Sequence, residues 1–146
     1  MNKEQILNTI KIKVEEKVHT FENLIAETRA SNNDTKSSMG DKYETGREML
    51  QQEINNLQRQ LNETLNQQAL LQKITSEQSL KVQNGALVKT DRGLFYVSVS
   101  VGEIMLDQQK IMTVSAESPL VKAMLGKKEK ETFMINTVQQ TIEKIW

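Results

Sequence analysis

Residues 4–30 read EQILNTIKIKVEEKVHTFENLIAETRA, with neither proline nor glycine. Apolar residues recur at Leu7, Ile10, Val14, Phe21 and Leu24, and Thr28 continues the row. Steps of three and four put these side chains on one narrow helical stripe, the seam of a coiled coil, which Ile6, Val18 and Ile25 widen. After Gly46 a second run places Leu50, Ile54, Leu57 and Leu61 in the same alternation, followed by Leu65 and Leu71 as the pattern loosens among glutamines. Between the runs, Ser31 to Gly40 is polar and rich in turn formers, so the two helices are expected to fold back as an antiparallel hairpin. At 1.5 Å per residue, ~27 residues make an arm of ~40 Å. Such a hairpin has a thin core and needs an anchor at its open end.

From about Ser79 the composition shifts to β-branched residues punctuated by glycine. Ala86 to Thr90 is strand-like, and Asp91-Arg92-Gly93 is a turn. Leu94 to Val101 alternates Phe95, Val97, Val99 and Val101 against Tyr96, Ser98 and Ser100, as a strand with one buried face does. Further strands are expected at Glu103–Leu106, Lys110–Ser115, Thr132–Asn136 and Thr141–Ile145. Ser118 to Gly126 reads as a short helix with a serine N-cap, proline in its first position and a closing glycine. The fold class is therefore α+β: a coiled-coil hairpin over residues 1–77, with its acidic tip near 31–46, then a small antiparallel sheet domain with a short helix over 78–146.

Composition narrows the functions. Of 146 residues, 37% are hydrophobic and only 4% aromatic, and nineteen basic residues balance nineteen acidic ones. A net charge of zero argues against direct duplex binding, sequence-specific DNA recognition or a polybasic membrane anchor. The absence of cysteine removes disulfides and thiolate metal sites. No window approaches the ~20 apolar residues of a membrane span, and the N-terminus has no apolar signal core, so a cytoplasmic protein is expected. On that basis the glycosylation sequons at Asn33 and Asn62 are chance matches.

The chemistry-bearing residues are few. His19 stands alone beside the seam, is read as having no carboxylate neighbours, and is assigned a structural or solvent-facing role. With no phosphate loop and no nucleophile–base grouping, a self-contained enzyme is not expected. Asp41 and Glu44 lie three residues apart, so at the start of the second helix their carboxylates lean to one side. They could hold a hard cation such as Mg²⁺ while leaving most of its coordination to others. Equally, they could serve only as an N-cap and a complement to the helix macrodipole. Lys127, Lys128 and Lys130 form a basic cluster after the short helix, either a docking patch or a solvated turn.

Val114-Ser115-Ala116-Glu117-Ser118-Pro119-Leu120, continuing through Ala123-Met124-Leu125-Gly126-Lys127-Lys128, resembles the C-terminal signature of the Gre family of bacterial transcript-cleavage factors. Gly40-Asp41-x-x-Glu44 is similar to the acidic tip element of that family. The resemblance implies an N-terminal coiled coil followed by an FKBP-like α+β domain over essentially the whole chain. It also implies an elongation factor that binds RNA polymerase, threads its tip into the secondary channel and stimulates the polymerase's own transcript cleavage in backtracked complexes. Asp41 and Glu44 would then be the catalytic and metal-holding acids, acting only within the polymerase on a shared Mg²⁺ near the nascent RNA 3′ end. Gly40, Tyr43, Lys127 and Lys128 would contact the partner, Tyr43 alternatively packing on its own hairpin. Prolyl isomerase activity is not implied, because fold does not fix function. Phe95, Tyr96, Phe133 and Trp146 are expected in the core.

Two other readings stay open. Lys42 and Thr45 depart from the leucine and asparagine usual in the tip element, as a paralogue that occupies the channel and modulates or inhibits polymerase without cleavage would. A structural coiled-coil adaptor with merely solubilising acids is the third.

Overall fold

The computed structural model describes the backbone of residues 1–37 and 44–146 and the side chains of 1–31 and 46–146. In chain order the elements are α1 (Lys3–Ser37), α2 (Glu44–Gln72), β1 (Leu87–Thr90), β2 (Gly93–Ser98), β3 (Glu103–Leu106), β4 (Gln109–Ser115), α3 (Pro119–Met124), β5 (Thr132–Ile135) and β6 (Val138–Ile145). Contacts group the chain into one unit of Ile12–Gln68 and another of Met1–Lys11 with Ala69–Trp146. This grouping follows packing, whereas the segments 1–77 and 78–146 follow the order of the chain.

Asn2 starts α1 by accepting a hydrogen bond on Oδ1 from the Gln5 N–H at 3.0 Å, which satisfies one of the amides that a helix start leaves without a partner. The helix then runs through Ser37, so the polar stretch beginning at Ser31 is helix for its first seven residues rather than a turn. α2 begins at Glu44 rather than after Gly46. Polar residues carry only a modest helix penalty, and a helix already under way extends more readily than a new turn nucleates.

In the hairpin unit, Val18 and Ile25 of α1 pack with Ile54, Leu57 and Leu61 of α2, and Phe21 lies half-buried against them. The seam departs from the expected one in each helix. Past Val14 it continues through Val18 and Ile25, leaving Leu24 39% exposed. In α2 it steps from Leu61 to Thr64, which is buried, while Leu65 is 41% exposed. Thr64 tolerates this position because its hydroxyl donates to the Gln60 carbonyl at 2.8 Å, so burial leaves no orphan donor. The seam that read as loosening at Leu65 is continued by a threonine.

The other unit is built on a six-stranded sheet ordered β3-β4-β2-β1-β6-β5. Four strand pairs are antiparallel, as expected, but β2 and β4 run parallel, with Tyr96 opposite Thr113. The cause lies after Ser98, where β2 ends three residues earlier than its alternation suggests. Gly102 takes φ +86°, and Thr113 holds this connection by accepting from the Val101 N–H at 2.8 Å and donating to the Gly102 carbonyl at 2.6 Å. The chain thereby reaches the outer edge of β4 instead of pairing with β2, making β3 the edge strand.

Both sheet faces are buried over much of their area. On one face Val88, Val97, Phe133, Ile142 and Ile145 pack against Val121 and Met124 of α3. Leu87, Tyr96, Ile111 and Thr113 alternate to the opposite face and are buried there. The same unit also buries Ile6, Ile10 and Leu71 completely. Of the aromatic residues expected in the core, Tyr96 and Phe133 are buried, while Phe95 and Trp146 are only partly so.

Two features of β6 escape a simple alternation reading. The strand starts at Val138, three residues before the expected Thr141, and its first half pairs with β5. A register shift opposite Lys89 and Thr90 then gives β6 one extra residue. This bulge lets Ile142 and Ile145 share one face although three residues separate them. It also brings Lys144 directly opposite Lys89, and Trp146 directly opposite Leu87 through reciprocal backbone hydrogen bonds of 2.9 and 3.3 Å.

Candidate functional site

Gly40, Asp41 and Tyr43 lie outside the described residues, and Glu44 enters only as the first residue of α2. At 1.5 Å of rise per residue, the 29 residues of α2 extend ~43 Å.

The Ser118-Pro119-Leu120 element forms as expected. Ser118 has extended backbone, φ −66° and ψ 149°, and its Oγ accepts from the Val121 N–H at 3.2 Å. The same hydroxyl donates to the Ser115 carbonyl at 2.9 Å, tying the helix start to the end of β4. Pro119 occupies the first helical position, where no N–H is needed. Leu125 closes the helix and Gly126 follows at φ +79°. Val121 is fully buried against the sheet.

Behind this helix, Gly126 N–H donates to the Val82 carbonyl and Val82 N–H donates to the Lys127 carbonyl, both at 2.9 Å. These two bonds hold the segment around Leu80 beside Leu125 and Lys127. Leu80 is 79% exposed and Leu125 54%. Lys128 is exposed and Lys127 half-exposed, and no ion pair engages either ammonium group among the described residues. Two exposed aliphatic side chains and two lysines thus flank this pair of backbone bonds along the chain, and of these only the lysines were legible in the sequence. Leu80 carried no signal because a lone leucine in a loop cannot be assigned to core or surface by periodicity.

His19 is solvent-facing, with its side chain 67% exposed, but it does have carboxylate neighbours. Glu15 lies 3.8 Å from Nε2 and Glu22 3.5 Å from Nδ1. The spacings of four and three residues along a helix account for both contacts. No group of three or more possible metal ligands occurs among the described residues. No described helix is long and apolar enough to cross a membrane.

Lys3, near the start of α1, is buried. Its ammonium donates to the carbonyls of Glu77 and Trp146 at 2.5 and 2.9 Å, with Ser79 Oγ at 3.4 Å. Burial pushes its pKa below the usual 10.5.

Comparison with solved structures finds similarity to GreA factor homolog 1 (Gfh1) of Thermus thermophilus, at 15% identity and a TM-score of 0.39 over 93% of this chain and 94% of that one. A second structure, of the transcription factor Gfh1, matches at 13% identity and 0.39, covering 91% and 89%. Thermus aquaticus Gfh1 matches at 14% and 0.36, covering 90% of each chain. No protein-family model and no curated protein sequence matches the chain. Similarity at this level assigns no activity.

Proposed function

We propose that this protein is a Gre-like transcription elongation factor: an accessory protein that binds RNA polymerase and presents the Asp41 and Glu44 carboxylates to the polymerase active site. The observation that carries the reading is that two long helices, α1 and α2, are the elements between which Gly40-Asp41-x-x-Glu44 stands in the sequence, on a chain that later forms the N-capped Ser118-Pro119-Leu120 element. An arm of ~40 Å suits delivery of side chains into a partner's channel better than it suits a catalytic site of its own.

Two carboxylates are hard oxygen donors appropriate to Mg²⁺, but they supply too few ligands to hold it tightly. Asp41 and Glu44 would therefore contribute to a shared ion whose remaining ligands come from the polymerase and water. A second metal in such a site stabilises the attacking and leaving oxygens of phosphodiester cleavage. Lys127 and Lys128, beside Leu80 and Leu125, are the proposed docking surface, combining apolar area with charges that set orientation.

The test is RNA cleavage in backtracked elongation complexes with wild type, Asp41→Ala and Glu44→Ala. Stimulation by wild type and its loss in either variant, with polymerase binding retained, is the expected result. Wild type that binds polymerase without stimulating cleavage would refute this reading. It would favour the channel-occupying regulator that Lys42 and Thr45, at positions usually leucine and asparagine in the family, also fit. Failure to bind polymerase at all would exclude both.

A further inference from the structure

The β6 bulge creates an arrangement that folding does not require. Lys144 is set directly opposite Lys89 on adjacent strands, and like charges in that relation are destabilising. Two residues on, Trp146 shares their face, and Lys144 Nζ lies 4.7 Å from the centroid of its ring. A cleft of about 430 Å³, with Leu94 and Trp146 in its wall, has Lys89 and Lys110 among its lining residues. A neighbouring cleft of about 460 Å³ carries Lys144 and also reaches Trp146.

The lysines are only loosely neutralised. Lys89 is 3.9 Å from Glu143 and Lys110 is 4.0 Å from Glu103, with all four side chains substantially exposed. Exposed pairs at such distances contribute little and exchange readily for another carboxylate. Lys144 has no ion pair among the described residues. Cations around an apolar and aromatic wall fit an anionic ligand that also carries apolar surface. A phosphodiester backbone fits less well, since it has no side chain for the wall and the chain as a whole has no net positive charge.

We propose that this face of β1, β2 and β6 binds an acidic peptide segment of a partner protein, seating one bulky aliphatic side chain against Leu94 and Trp146 with carboxylates at Lys89 and Lys144. The surface lies on the sheet face opposite α3 and is independent of the elongation-factor reading.

Trp146 is the sole tryptophan, so its fluorescence reports occupancy directly. The full chain is titrated with the acetylated, amidated peptide Asp-Glu-Leu-Asp-Glu, with its Asn-Gln-Leu-Asn-Gln counterpart and with oligothymidylate. The expected result is a saturable change with the acidic peptide, weakened about tenfold or more by its neutral counterpart and by the Lys89→Gln/Lys144→Gln double variant. Circular dichroism of the variant should match wild type. No saturable change, equal binding of the neutral peptide, undiminished binding by the double variant, or tighter binding of oligothymidylate would each overturn the proposal. If the double variant does not fold, the two peptides against wild type still decide the outcome.

Discussion

Removing the hydroxyl of Tyr96 should stabilise the protein, and the gain should grow at alkaline pH. Tyr96 is fully buried in β2, and neither its hydroxyl nor that of Ser98 two residues on has a hydrogen-bonding protein partner among the described residues. Burying a hydroxyl without a partner costs about 1–3 kcal/mol. Tyr96→Phe keeps the ring and should gain ~1 kcal/mol at neutral pH, the lower end because the vacated space is not refilled. Burial also pushes the phenol from 10.0 up to about 12. A group whose folded pKa is raised supports the fold fully below its unfolded pKa and loses that support as pH climbs through its folded value. The window is therefore pH 10 to about 12, across which wild type should lose roughly 3 kcal/mol through this residue alone. Urea unfolding followed by Trp146 fluorescence, in wild type and Tyr96→Phe across that range, gives the difference free of other titrations. A variant less stable than wild type at neutral pH would refute the reasoning, since the hydroxyl would then have a partner such as an internal water. A difference that stays flat from pH 10 to 12 would refute the alkaline part.

Three further substitutions test the sheet unit. Gly85 sits at φ +89°, and a Cβ there would meet Ile74 Cγ2 and the Thr75 carbonyl oxygen at 3.1 Å, so Gly85→Ala should cost about 2 kcal/mol or more in urea unfolding. Ser118→Ala removes the N-cap of α3 and its tie to Ser115, and should cost ~1 kcal/mol, read as a fall in Tm of about 2–4 °C. Asn136 and Thr137 both have positive φ, 48° and 66°, in the two-residue turn between β5 and β6. Thr137→Gly should raise stability by ~1 kcal/mol, because a β-branched residue is strained there, and an unchanged or lowered Tm would count against that strain.

Much of the fold was legible because its signals are local. Heptad steps located both helices, strand signals located β1 through β4 with β2 read three residues too far, and Ser118-Pro119 marked the start of α3. What escaped depends on partners far along the chain. The parallel pairing of β2 with β4 is set by Thr113 capturing the Val101–Gly102 connection, a bond between residues that no window joins. The bulge in β6 inverts the alternation that would otherwise place Lys144 with Ile142. Leu24 and Ile25 are adjacent and equally apolar, so periodicity alone could not choose which enters the seam. Thr64 replaces Leu65 because its hydroxyl finds a carbonyl within its own helix. Of the candidate site, the Ser118 element forms its capped helix start and Lys128 is exposed, while Gly40, Asp41 and Tyr43 rest on sequence alone.

The sheet unit draws on Met1–Lys11 and on Ala69–Trp146, and Lys3 bonds to the Trp146 carbonyl across 143 positions of chain. During synthesis, α1 and α2 are complete once Gln72 has emerged, and their seam can close then. The sheet cannot. β6 follows β1 and β5 in the chain yet lies between them, so both strands lack a neighbour until it arrives. Domains otherwise tend to fold in the order they leave the ribosome, but here Met1–Lys11 must wait for β6 and Trp146. A nascent chain halted with β5 outside the exit tunnel and β6 still within it should therefore have a formed helical hairpin and a sheet unit that proteases can still cut, and emergence of β6 should close the sheet.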